Sequence, residues 1–154
     1  WYTNVFWCAL INLADLGHKD ETMSDAERIK ILKKVLAMFE LVFENGDYHK
    51  YSGTVSATHR YIADLAISED DYELALSSLE KAAECAIMSD TLPDKAHHTS
   101  LLVNDLEYSS TNLVKNYDFT DCKELYDKMQ SDRYDAIRDD MRFIAVLEKI
   151  GRYC

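Results

Sequence analysis

Apolar residues recur along most of the chain at intervals of three and four, the periodicity of amphipathic α-helices. Gly17 is expected to end the first helix, and Ser24 with Glu27 forms a capping box that starts the second. Stretches 109–119 and 132–139 lack a clear period, so we expect an ordered loop and an irregular segment there. The predicted helices span about residues 2–16, 24–44, 49–67, 72–88, 94–108, 120–129 and 139–151.

The second predicted helix carries two apolar stripes. One comprises Ile29, Leu32, Leu36, Phe39 and Phe43, and the other Ile31, Val35, Met38 and Val42. A helix on a protein surface needs only one such stripe to attach it to the core. The pattern therefore predicts that neighbouring helices cover this helix on both sides.

An internal repeat supports a layered arrangement. Residues 13–16 match residues 62–65 at an offset of 49, and apolar positions of the following helices match at an offset of 47. Self-similar helix pairs at this period indicate a helical solenoid. The alternative is that matches this short arise by chance between apolar helices.

Residues 56–89 resemble one tetratricopeptide repeat. Ala75, Leu79 and Ala82 occupy the small, large and small packing positions of the repeat's second helix, and Ala63 occupies the small position of the first. Asp70 stands where the family usually has glycine. The resemblance implies a binding surface without chemistry of its own.

A longer resemblance covers nearly the whole chain. It is similar to the C-terminal region of XRE-type helix-turn-helix transcriptional regulators of Clostridia-like bacteria. The similarity lies in the segments ALINLADL (9–16), RIKILKK (28–34), FELVFENGD (39–47), DTLP (90–93), TSLLVN (99–104) and RYDAIRDDMRF (133–143). The resemblance implies that a DNA-binding domain precedes this region. Because the chain starts at Trp1 within an amphipathic segment, we expect it to be part of a longer protein.

These observations together predict an all-α fold. The expected architecture is a right-handed α-α superhelix of about three tetratricopeptide-like hairpins, followed by a C-terminal capping helix. The whole chain, residues 1–154, is expected to be one domain. The hairpins are expected at about 2–45, 49–89 and 94–129, and the cap at 139–151.

Charge and cysteine content limit the kinds of partner and the cellular environment that we expect for this chain. The net charge is −11, and residues 61–127 account for all of it with 15 acids and 4 bases. Such a field repels nucleic-acid phosphates and anionic membranes, so DNA contact is expected only through the preceding domain. The four cysteines show no CxxC spacing, and no apolar run of about 18 residues exists to cross a membrane. These features favour free thiols, as in the cytoplasm.

No motif indicates catalysis, a cofactor or a metal. Adjacent His97 and His98 would point to different sides of a helix, and His49 and His59 lack partners at helical spacing. The chain has no HExxH, GxSxG or P-loop sequence. We therefore expect a protein that is not an enzyme and needs no cofactor.

Seven residues are candidates for a ligand or peptide groove. In a solenoid the first helix of each pair lines the concave face, and the resemblance to the tetratricopeptide repeat implies that Arg60, Tyr61 and Asp64 lie on it. The corresponding candidates are Asn12 and Asp15 in the first pair and Asn104 and Tyr108 in the third. Arg60 can hold a carboxylate, but Asp15 and Asp64 either repel an anion or orient Arg60. We favour a peptide or a small cationic ligand. The alternative is that Arg60 and Asp64, four residues apart, form only an intrahelical ion pair.

The resemblance then implies a cytoplasmic, homodimeric effector-sensing or dimerisation domain of a bacterial transcriptional regulator. Its partners would be a peptide, a protein segment or a small-molecule effector. The alternative is a free-standing repeat adaptor that binds a protein segment without any link to DNA. A ligand that favours one curvature of the solenoid would change the spacing of two DNA-binding heads.

Overall fold

The computed structural model describes residues 2–20, 22–104, 106–109 and 120–154, and this part of the chain is mainly helical. The prediction of a mainly α-helical fold is confirmed. The α-helices are α1 (Tyr2–Lys19), α2 (Asp25–Val42), α3 (Ser52–Ser68), α4 (Tyr72–Asp90), α5 (Asp121–Met129) and α6 (Met141–Ile150). Strands β1 (Lys95–His97) and β2 (Glu107–Ser109) pair in antiparallel fashion, and 3₁₀ turns lie at Glu44–Gly46, His49–Tyr51, Asp132–Ile137 and Gly151–Tyr153.

The start of α2 is the predicted capping box. The Ser24 hydroxyl accepts from the Glu27 amide, and the Glu27 carboxylate accepts from the Ser24 amide at 3.0 Å. Gly17, in contrast, does not end α1, which continues to Lys19. A Cβ at Gly17 would lie 3.1 Å from side-chain carbons of Ile31 and Leu32. The glycine therefore allows α1 to pack closely on α2 and does not form a C-cap.

The predicted helix 94–108, and with it the pair 94–129, is wrong. This segment contains β1 and β2, with Ala96 opposite Tyr108. The amides of Thr99 and Ser100 donate to the Asp47 carboxylate at 2.7 and 2.8 Å, which holds the chain after β1 in a non-helical path. Most of the predicted loop 109–119 lies outside the described residues.

The C-terminal helices form the third pair instead. Helix α5 packs against α6, and both pack against α4. The helix predicted to cap the domain, 139–151, is therefore α6, the partner of α5. The segment predicted to be irregular, 132–139, is largely a 3₁₀ helix.

Two side chains attach this third pair to α4. The Asp90 carboxylate accepts from the amides of Asp121 and Cys122 at 3.0 and 2.8 Å, which satisfies free N–H groups at the start of α5. Arg142 of α6 donates to Glu73 at 2.7 Å and to Glu80 at 2.8 and 2.9 Å. The pair is thus fixed at both ends of α4.

Helices α3 and α4 lie between two apolar cores. On one side, large side chains such as Phe39, Phe43 and Tyr51 join α2 to α3. On the other, a core containing Leu125, Met129 and Phe143 joins α4 to α5 and α6. The second core also contains fully buried alanines of α3 and α4: Ala63, Ala66, Ala75, Ala82, Ala83 and Ala86.

The two-sided covering predicted for α2 holds in part. Helix α2 packs against both α1 and α3, and Val35 of the second stripe is buried with Leu32 and Phe39 of the first. Met38, however, is 39% exposed and the neighbouring Leu41 is 70% exposed. One flank of the C-terminal half of α2 therefore faces solvent.

The cysteines are free thiols, with Cys85 and Cys122 buried and Cys8 and Cys154 exposed. Cys8 lies among apolar residues in the sequence but on the outer side of α1. Within the described ranges, no helix combines the length and hydropathy required to span a bilayer.

Candidate ligand-binding cleft

An open cleft of about 590 Å³ lies where α1, α3 and α5 meet. Helix α3 supplies its floor, the C-terminal end of α1 one wall, and α5 with the following turn the other. Charged and aromatic side chains dominate the lining, which comprises His18, Lys19, Arg60, Tyr61, Asp64, Glu124, Lys128, Ser131, Asp132 and Arg133. The cleft thus joins three helices that are far apart in the sequence.

A hydrogen-bonded triad forms the floor of the cleft. Arg60 donates to Asp64 at 2.8 Å, and their side chains are only 12% and 8% exposed. The Tyr134 hydroxyl, from the 3₁₀ turn after α5, donates to the other oxygen of the same carboxylate. Burial and the Asp64 charge raise the pKa of Tyr134, which keeps its proton on the hydroxyl. The pair is therefore intrahelical, as the spacing allows, but it also anchors the third helix pair to α3.

An aromatic stack forms the α1 side of the cleft. The His18 ring lies on the Tyr61 ring with 3.7 Å between centroids, and the Arg60 guanidinium lies 4.6 Å from the Tyr61 ring centre. Burial lowers the pKa of His18, so the ring is neutral at pH 7. Arg28 of α2 donates to the carbonyls of Gly17 and His18, which fixes the end of α1 beside the cleft.

Cations line this cleft in an otherwise acidic protein. Lys19, Arg60, Lys128 and Arg133 face three acids, whereas the whole chain carries a net charge of −11. Arg60 already neutralises Asp64, and Lys19 pairs with Asp15 at 2.9 Å. The wall formed by α5 and the following turn thus offers Lys128 and Arg133 beside the acids Glu124 and Asp132. Adjacent groups of both signs suit a ligand that itself carries both charges.

The structure brings together three of the seven predicted groove residues: Arg60, Tyr61 and Asp64. Asn12 is exposed and donates to the Cys8 carbonyl of its own helix, and Asp15 reaches the cleft only through Lys19. These two are not part of the lining.

The other two predicted residues lie elsewhere because the segment 94–108 is not a helix. Asn104 is exposed in the connection between the strands, and Tyr108 is buried in β2 opposite Ala96. Neither lines the cleft, and both are removed from the candidate site.

Several lining residues were not predicted from the sequence. His18 and Lys19 follow the predicted end of the first helix at Gly17, and the polar run HKDET (18–22) contains no apolar positions that would extend the helical period. Lys128 and Arg133 became relevant only because α5 takes the place expected for residues 94–108. No local feature of the sequence indicates that α5 lies where a helix of residues 94–108 was expected.

Comparisons with known proteins identify no relative of this chain. No family model matches it, and neither the curated proteins nor the solved structures give a significant match.

Proposed function

We propose that this chain is the effector-sensing and interaction domain of a bacterial helix-turn-helix regulator, and that the effector binds in the α1–α3–α5 cleft. The observation that carries the proposal is the polar cleft of about 590 Å³ on the first helices of three successive pairs. In a tetratricopeptide-like superhelix, the first helices of stacked pairs line an extended concave surface that binds ligands, and a cleft on α1, α3 and α5 fits that arrangement. The resemblance of the sequence to such regulators supports the same assignment.

The lining favours a short peptide or an amino-acid-like molecule. Lys128 and Arg133 suit a carboxylate, for which arginine provides a planar, paired set of donors. Glu124 and Asp132 suit an ammonium group, and Tyr61 contributes an aromatic ring on the α1 side of the cleft. The volume lies in the range of small-molecule sites.

Binding in this cleft would act on the shape of the domain. A ligand that contacts both α1 and α5 stabilises one separation of the first and third pairs over others. Reversing a 1:99 population to 99:1 requires a differential affinity of about 5.5 kcal/mol. In a dimeric regulator, that shift would change the spacing of two DNA-binding heads.

A binding experiment tests the ligand class. We expect calorimetry with a library of di- and tripeptides to find a binder whose affinity falls at least about tenfold in the double variant Lys128→Gln/Arg133→Gln. Amidation of the peptide's C-terminus should cause a similar loss. The matched control is Lys33→Gln/Lys34→Gln, which removes two exposed cations from α2 and should leave affinity unchanged.

Equal affinity of the cleft variant and the control variant would contradict the proposed site. Failure of the entire peptide library, combined with binding of simple diamines, would instead support a purely cationic ligand. In that case Glu124→Gln should weaken binding and the lysine and arginine substitutions should not.

The second candidate is a repeat adaptor that binds a protein segment, and the outer face of α1 favours it. Val5, Leu13 and Leu16 are 53%, 37% and 44% exposed and lie on one side of this helix. Exposed apolar residues grouped on one face mark interaction surfaces more often than scattered ones do. The same face is also the candidate dimer contact of the first proposal.

Sedimentation separates these possibilities. If α1 forms the homodimer, the wild-type chain should sediment as a concentration-dependent dimer, and Leu13→Lys/Leu16→Lys should be monomeric with an unchanged helix signal. Lys30→Glu on the exposed side of α2 provides the control. A wild-type chain that stays monomeric up to about 100 μM would refute the homodimer and favour the adaptor.

A further inference from the structure

Two histidines and an aspartate converge at the end of α2, away from the cleft. Asp47 directly follows the 3₁₀ turn Glu44–Gly46, His49 begins the next 3₁₀ turn, and His98 follows β1. The Asp47 Oδ1 atom lies 2.9 Å from His49 Nε2 and 3.4 Å from His98 Nδ1. One potential ligand atom from each residue lies within 4.8 Å of the other two.

The group is enclosed and its carboxylate is fixed. The side chains of Asp47, His98 and His49 are 6%, 5% and 15% exposed. The second carboxylate oxygen of Asp47 accepts from the amides of Thr99 and Ser100 and from the Ser100 hydroxyl, all within 2.8 Å. Oδ1 is thereby directed toward the two imidazoles, as an outer set of donors directs the ligands of a metal.

The backbone at His49 has an uncommon conformation. Its φ of 45° lies in the left-handed region that non-glycine residues adopt infrequently. In addition, the Nδ1 atom of His49 is buried without a hydrogen-bond partner among the described residues. Strain and an unpaired polar atom at the same position are more common at functional sites than elsewhere.

We propose that Asp47, His49 and His98 bind one divalent transition-metal ion of the zinc class. Two imidazoles and one carboxylate are a donor set for zinc and its neighbours, whereas magnesium and calcium prefer oxygen ligands throughout. The observed N–O separations of 2.9 and 3.4 Å are close to the ligand–ligand spacing around an ion with bonds of about 2.0–2.1 Å. The Asp47 carbonyl oxygen, 3.0 Å from His98 Nδ1, provides a further oxygen at the same point.

Binding requires only small rearrangements. The two rings are stacked, with centroids 4.1 Å apart and planes inclined by 19°, so each must turn about its χ2 angle, which is a soft torsion. A bound ion would replace the protons through which His49 Nε2 and His98 Nδ1 contact Asp47. Each neutral ring would then carry its proton on the nitrogen that does not bind the ion. The bound ion would join the turn after α2 to the strand hairpin.

Cobalt(II) titration tests this site on the whole chain, because its visible spectrum reports ligand type and geometry. We expect the wild type to bind one equivalent and to show the d–d bands of a nitrogen and oxygen site. His49→Asn and His98→Gln should each weaken binding at least about tenfold. Asparagine is chosen at position 49 because it tolerates a positive φ.

The matched control is His97→Gln, next to His98 but 72% exposed, and it should bind as the wild type does. Zinc should displace the bound cobalt. In a separate thermal denaturation, zinc should raise the Tm of the wild type by about 5 °C or more and should leave the Tm of His49→Asn unchanged. Helical circular dichroism of each variant confirms that it is folded.

Two results would overturn the assignment. One is the absence of any cobalt uptake by the wild type at about 100 μM. The other is a thiolate charge-transfer spectrum that disappears in Cys8→Ser/Cys154→Ser, since it would place the ion on the exposed cysteines. Neither result bears on the cleft, because no cleft residue belongs to the Asp47–His49–His98 group.

Discussion

Replacing Arg60 with methionine should lower the free energy of unfolding by about 3 kcal/mol, because it leaves the Asp64 carboxylate buried without its cation. Loss of one partner from a buried ion pair typically costs about 3–5 kcal/mol. We expect the lower end of that range because Arg60 borders the open cleft and Tyr134 still donates to Asp64. Urea denaturation at pH 7 measures the change.

Two further variants identify the cause. Arg60→Met/Asp64→Asn removes both charges, keeps an acceptor for Tyr134, and should recover most of the lost stability. Arg133→Met removes a cation that lines the same cleft without a buried acidic partner, and should stay within about 0.5 kcal/mol of the wild type. If Arg60→Met and Arg133→Met cost the same, the ion pair has no special structural role.

His59 should make stability depend steeply on mildly acidic pH. Burial, with a smaller contribution from Lys81, lowers the pKa of His59 from 6.5 to about 4 in the folded chain. The unfolded chain therefore binds a proton at His59 from about pH 6.5 downward, whereas the folded chain does so only near pH 4. The neutral form stabilises the fold above pH 6.5, and this stabilisation is lost as the pH falls from 6.5 to 4. The shift corresponds to about 3 kcal/mol.

Urea denaturation at several pH values, repeated for His59→Gln, checks this expectation. Glutamine does not titrate, so the carboxylates contribute equally to both proteins and the difference between their curves isolates His59. The wild type should lose stability relative to the variant between pH 6.5 and 4. Parallel curves over this interval would show that His59 is protonated equally easily in the folded and unfolded chains.

The fold was predictable where helices are specified locally. The Ser24 and Glu27 cap and the apolar spacing of α2, α3 and α4 are short-range features, and the structure confirms them. The hairpin of β1 and β2 depends instead on contacts with Asp47, about fifty residues earlier. Such long-range contacts override local helical preference, and a single sequence does not display them.

The candidate sites were likewise predictable only where their residues lie close together in the sequence. Arg60, Tyr61 and Asp64 were predictable because they lie within one helix, on the face that the resemblance to the tetratricopeptide repeat places inward. The positions of Lys128 and Arg133 depend on how α5 packs, and the Asp47–His49–His98 group joins segments separated by the whole α3–α4 pair. His49 and His98 were expected in helices without ligand partners at helical spacing, so no metal site was predicted there.

The buried alanines of α3 and α4 bear on which parts of the molecule can change shape. Alanine has no side-chain torsion to rearrange, and its small size brings the two helix backbones close together. We therefore expect α3 and α4, which are in close contact, to move together. Any bending of the domain should occur mainly where α2 meets α3 and where α4 meets α5 and α6, because larger side chains with more torsions pack there.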